Sequence, residues 1–133
     1  MPSPNPSPHL HRTKLVFFAV IVVILGLASR RYPIFGNYPG DALWATLVAT
    51  LYAFARPQAT LKTIAIATLA TAYGVELSQL YQAPWLNQLR STLPGKLILG
   101  SGFDPIDLLA YLVGTLLALP ALHSLRSRPP HAT

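Results

Sequence analysis

Residues 105–123 read PIDLLAYLVGTLLALPALH, and no charged side chain interrupts them from Leu108 to Leu122. A long uncharged apolar run is what a helix needs to cross a bilayer, because lipid offers nothing to a bare charge or an open backbone group. Working outward, the same pattern recurs upstream in weaker form. Residues 61–82 form a second apolar segment that carries Glu76 within it, and residues 41–55, DALWATLVATLYAFA, form another. The first run, residues 15–29, would rise roughly 22 Å at ~1.5 Å per residue, short of the ~30 Å of a hydrocarbon core. It spans if Lys14 and Arg30 snorkel to the interfaces. The expected fold is therefore all-α, an integral membrane bundle of four transmembrane helices over about 15–29, 41–55, 61–82 and 105–123.

Composition agrees with that pattern. Of the 133 residues 52% are hydrophobic and 11% charged, against about 25% charged in an ordinary soluble domain. The first run also has the outline of a signal peptide, with basic residues ahead of it and small ones near Ala28. Arg30, Arg31, Tyr32 and Pro33 follow at once and make a poor cleavage site, so the helix is read as retained. Residues 1–14 and 124–133 are rich in Pro, Ser and basic side chains and read as disordered tails.

The net charge of +6 comes from ten Lys or Arg against four acids. The basic residues lie in pairs beside the apolar segments and never build a basic arm, so they read as membrane-flank anchors and not as a nucleic-acid surface. There is no cysteine, which excludes disulfides, thiol catalysis and cysteine metal sites. The histidines, His9, His11, His123 and His131, lie in or near the tails, and neither a metal site nor a cofactor is expected.

Between the third and fourth segments, residues 83–103 read APWLNQLRSTLPGKLILGSGF. Trp85, Leu86, Leu89 and Leu93 fall near one helical face, and Pro94-Gly95 would stop that helix. The stretch reads as a short interfacial helix lying on the bilayer, followed by glycine-rich turns into the fourth span. Alanines at spacing four (Ala45, Ala49 and Ala53), together with Gly74 and Ser78 and with Gly114 and Ala118, would let helix backbones approach closely.

All four acids gather at one end of this bundle. With alternating spans, Asp41, Glu76, Asp104 and Asp107 lie at or just below the face that carries loops 30–40 and 83–103. Tyr32, Tyr38, Trp44, Tyr81, Trp85, Phe103 and Tyr111 collect there too, as an aromatic belt would. The opposite face holds Arg12, Lys14, Arg56, Lys62, Arg126 and Arg128 and no acid, whereas the acidic face holds Arg30, Arg31, Arg90 and Lys96. The positive-inside rule then places the chain in the cell inner (plasma) membrane with both termini cytoplasmic.

Each acid has a structural reading beside the functional one. Asp41 would cap the second helix. Asp104 precedes Pro105 and would be the N-cap of the fourth, with Asp107 at the capping-box position. Asp107, Tyr111 and Gly114 share one face. Glu76 is harder to explain, since it lies in a hydrophobic segment at the end of its helix that the dipole makes unfavourable to an anion. It starts a polar stripe, Glu76, Gln79, Gln82, and an ion pair with Arg30, Arg31 or Arg90 would account for it. Arg90 would pair Glu76 or Asp107, or hold an anionic headgroup.

These residues carry a resemblance. Glu76, Leu77 and Gln79, then Ala83-Pro84-Trp85, then Gly100, Gly102 and Phe103, then Asp107, Leu108, Tyr111 and Gly114 resemble the VanZ-like membrane proteins, and more closely a bacterial subgroup of unknown function. The resemblance covers about residues 15–122; at Tyr111 the sequence departs from the asparagine expected in VanZ itself. It implies a fold, a polar site at Glu76 and Asp107, and a place in the cell envelope.

Three functions compete at this stage. The first is an envelope protein that binds an amphipathic or lipid-linked ligand on the non-cytoplasmic face, through Glu76, Gln79, Arg90, Asp104, Asp107 and Tyr111. The second is a structural or partner-binding subunit, homo-oligomeric or otherwise, whose acids lock the bundle. The third is an intramembrane enzyme using Glu76 and Asp107 as an acid–base pair. The partners expected are the lipid bilayer and such a ligand, with no nucleic acid.

Overall fold

A computed structural model of the chain describes residues 8–32, 36, 38–99 and 104–126. Among these residues all regular structure is helical: α1 (Pro8–Arg31), α2 (Tyr38–Ala55), α3 (Leu61–Ser78), α4 (Pro84–Ser91), α5 (Leu93–Leu99) and α6 (Pro105–Arg126). Two stretches, Arg12–Arg31 and Pro105–Leu125, are long and apolar enough to cross a membrane. Residues 1–7 and 127–133 of the expected tails, and Gly100, Gly102 and Phe103 of the motif, lie outside the described residues.

Several boundaries differ from those expected, each for a local reason. The first helix starts at Pro8, not Leu15, so residues 8–14 are helical and not a disordered tail. Proline is well suited to a first helical turn, and Arg12 is held by its position over the Phe54 ring of α2, 5.4 Å from the centroid. The second helix begins at Tyr38, which moves Asp41 from the cap into the first turn. The third ends at Ser78 and not Gln82. The stretch after α4 is no string of turns: Thr92 presents its hydroxyl to the Gly95 N–H at 3.1 Å and so caps a further helix, α5, with Pro94 in its first turn.

α2 packs against α1, α3 and α6; α3 also packs on α6; α4 packs on α5. Small side chains decide which faces meet. Ala45, Ala49 and Ala53 have 0% exposure and form the seam of α2. Gly114 of α6 sits against the backbone of Ala42, where even a methyl group would fall within 2.0 Å of the carbonyl oxygen. Thr46 spans this contact, donating its hydroxyl to the Gly114 carbonyl at 2.9 Å. The expected pair Gly74 and Ser78 plays no such part, since Gly74 faces open space. The buried stripe of α3 is Ile64, Thr68, Ala72 and Glu76.

Two apolar clusters mark the ends of the bundle. Leu15, Ala49, Ala53, Ile64, Ala118 and Leu122 unite the start of α1, the end of α2, the start of α3 and the end of α6. Ala45, Ala72 and Tyr111, with Trp44, Tyr73 and Leu108 against them, form the other. At the first end, Thr60 caps α3 by accepting from the Thr63 N–H at 3.1 Å. Thr60→Ala is expected to cost about 1 kcal/mol, read as a small drop in melting temperature in detergent with the helical content of the folded protein unchanged.

Candidate functional site

The polar site lies around the second cluster. Glu76, the residue with no evident excuse in the sequence, is 0% exposed. Among the described residues it makes no ion pair: Oε1 accepts the Asp104 N–H at 2.7 Å and Oε2 accepts the Tyr111 hydroxyl at 2.9 Å. Asp104 immediately precedes α6, so this carboxylate from the C-terminal end of α3 sits at the positive end of the α6 dipole. What looked like the wrong place on one helix is the favoured place on its neighbour.

That contact rearranges the expected capping box. Asp104 is the N-cap, its Oδ1 accepting the Ile106 N–H at 3.0 Å. In a capping box the acid three residues on reaches back to the N-cap N–H, but here Glu76 already holds that N–H. Asp107 is freed and turns to α2, where its carboxyl comes within hydrogen-bonding reach of Asp41. Asp41 also accepts a hydrogen bond from the Arg30 guanidinium at 3.3 Å. The pairing of Arg30 is thus with Asp41 and not Glu76, and the carboxyl groups that meet are Asp41 and Asp107, not Glu76 and Asp107.

Arg90 does something else again. Only 5% exposed, it donates to the carbonyls of Ser78 at 2.7 Å and Tyr81 at 2.9 Å, and to the Asn87 side chain at 3.2 Å. It closes the C-terminus of α3, where a cation complements the dipole and satisfies carbonyls that lack helical partners. This explains why α3 stops at Ser78. Among the described residues Arg90 pairs with neither Glu76 nor Asp107. With Arg90 turned inward, Trp85 and Leu89 of α4 and Leu93 of α5 are left exposed.

Beside these contacts lies a cavity of about 740 Å³. Gln79, Asp104, Asp107 and Tyr111, four of the residues singled out in the sequence, line it together with Asp41; Glu76 and Arg90 do not. Its apolar wall includes Leu27, Trp44, Val75, Leu97 and Ile98, and its basic residues are Arg30, Arg31 and Lys96. The pocket is therefore of mixed charge, not simply acidic and aromatic. Tyr111 is a buried member of the site and not part of a belt, its ring tilted against Trp44 with centroids 5.5 Å apart. Tyr38, at the rim, donates to Asp104 Oδ2 at 3.0 Å.

Gln79 is 4% exposed. Its amide nitrogen donates to the Leu99 carbonyl at 2.9 Å, tying α3 to α5, while Oε1 is buried with no partner among the described residues. Gln82, the end of the expected polar stripe, donates to the Gln79 carbonyl outside the cavity. Sequence reasoning missed the role of α5, which brings Lys96, Leu97 and Ile98 to the wall. The signal was present in Thr92-Leu93-Pro94, a cap followed by a first-turn proline.

A family model described as a protein of unknown function (DUF2809) matches residues 31–115. The match takes in most of the cavity wall, from Arg31 through Asp41, Gln79 and Lys96 to Tyr111. No solved structure matches the chain.

Proposed function

The chain belongs to the DUF2809 family, of unknown function, and from that premise we propose that it is a multi-pass membrane protein that holds the polar end of an amphipathic ligand in the cavity between α1, α2, α3, α5 and α6. The observation that carries this reading is the cavity itself, with Leu27, Trp44, Leu97 and Ile98 on its apolar wall and Asp104, Asp107, Gln79 and Tyr111 beside them. Small-molecule sites combine an apolar wall with convergent polar groups, and the larger polar share here suits the head of an amphiphile.

In this reading α1, α2, α3 and α6 all cross the membrane. Leu51 and Phe54 on α2 and Ile66 and Leu77 on α3 are exposed, as are Phe17, Ile21 and Ile24 on α1, and lipid is the solvent that suits them. α4 lies on the bilayer with Trp85 and Leu89 downward. The basic excess at the far end puts both termini in the cytoplasm and opens the cavity on the outer side of a bacterial inner membrane. The resemblance to VanZ-like proteins supports an envelope setting. A purely structural role fits Glu76 and Arg90, whose hydrogen bonds join one helix to another.

The test compares Leu97→Trp, which fills the cavity from α5, with wild type, purified in mild detergent. Leu97 is only half-buried and its helix packs mainly on α4, so melting should stay within a few degrees, whereas a specific co-purifying lipid or lipid-linked species should fall severalfold by mass spectrometry. Identical lipid profiles in the two proteins would refute the reading.

A further inference from the structure

Resting on that reading, the geometry points to the chemical class of the ligand: a phosphate-bearing headgroup that also carries a hydrogen-bond donor. The charged groups of the cavity divide into those already engaged and those left over. Arg30, Asp41 and Asp107 are joined to one another, and Asp104 is spent on Tyr38 and the first turn of α6. Arg31, the last residue of α1, and Lys96 of α5 line the same cavity with no side-chain partner among the described residues. Two cations therefore stand uncommitted on the wall, beside the three acids of the site.

One further group is uncommitted. Gln79 is held in place by its amide bond to Leu99, and its Oε1 faces burial without a donor. A buried acceptor left unsatisfied is costly and rare, and this one belongs to a residue of the cavity wall. Two cations suit a phosphate, and an acceptor suits a hydroxyl or ammonium beyond it. Phosphatidylglycerol supplies a hydroxyl, phosphatidylethanolamine an ammonium, and phosphatidylcholine neither. The apolar wall of Leu27, Leu97 and Ile98 takes the start of the chains.

Trp44 on the cavity wall gives the readout. The chain has two tryptophans, so Trp85→Phe leaves Trp44 as the sole emitter. Full-length Trp85→Phe in non-ionic detergent is titrated with phosphatidylglycerol, phosphatidylethanolamine or phosphatidylcholine carrying brominated chains, which quench on contact. Saturable quenching by phosphatidylglycerol, phosphatidylethanolamine or both, at midpoints about tenfold below phosphatidylcholine, is expected; which of the two binds identifies the donor as hydroxyl or ammonium. Adding Arg31→Gln with Lys96→Gln should raise those midpoints about tenfold, and adding Gln79→Met should erase the margin over phosphatidylcholine. Equal saturable binding of all three lipids by the unaltered site overturns the donor assignment while leaving the amphiphile site standing, and it does so without any variant at Gln79. Midpoints unmoved by the Arg31 and Lys96 changes overturn the phosphate assignment. No saturable quenching by any lipid removes both this class and the binding function beneath it.

Discussion

Gly114→Ala should unfold about 10 °C below wild type, the equivalent of about 3 kcal/mol in a domain of this size. The added methyl carbon would lie 2.0 Å from the Ala42 carbonyl oxygen and 2.7 Å from its carbon. Both atoms are backbone in the first half of α2, so no side chain can swing aside. Relief requires α2 and α6 to separate, which also stretches the Thr46 hydrogen bond to the Gly114 carbonyl. In lipid, where no hydrophobic effect drives helices together, close approach and such bonds supply much of the association. Gly74→Ala is the matched control: nothing lies within 4 Å of its added carbon, and alanine is the better helix former. It should melt at or slightly above wild type. Thermal unfolding of the three proteins in one detergent decides the matter, and equal melting of the two variants would mean that α2 and α6 do not meet at Gly114.

The second large effect is at Glu76, and its size should depend on the replacement. Glu76→Leu removes both acceptors at once, leaving the Asp104 N–H and the Tyr111 hydroxyl without partners in a buried place. At ~1–3 kcal/mol for each unsatisfied group, the loss should be about 4 kcal/mol. Glu76→Gln keeps an oxygen for the Asp104 N–H and offers an N–H to the Tyr111 oxygen, so its cost should be about 1 kcal/mol. Tyr111→Phe alone should fall between them. In a double-mutant cycle, Tyr111→Phe should cost less in the Glu76→Leu background than in wild type, since the bond is already gone. If Glu76→Gln were as damaging as Glu76→Leu, the negative charge at the start of α6, and not the pattern of hydrogen bonds, would be what holds this end together.

Most of the helical outline was legible in the chain. The apolar runs give the bodies of α1, α2, α3 and α6, and the shared face of Trp85, Leu86 and Leu89 gives α4. The gathering of Asp41, Asp104, Asp107, Gln79 and Tyr111 at one end follows from alternation alone, and all five line the cavity. The errors have a common source. Arg90 read as a ligand group or anchor, and Glu76 as half of an ion pair, because sequence assigns a side chain to a face but not to a partner.

Partners are set by which helices touch and at what height, and only the tertiary structure decides that. Gly114 against Ala42 fixes α2 on α6 and brings Asp107 to Asp41. Glu76 reaches across to the free N–H of Asp104 and takes the place a capping box would have filled from within α6. Arg90 folds back on α3 and ends it at Ser78. The sequence by itself determined that helices form and that their polar residues share one end, because periodicity and charge are local properties. Which of those residues satisfy one another, and which are left facing the cavity, depends on contacts between residues far apart in the chain, where each buried donor or acceptor settles on the nearest group able to meet it.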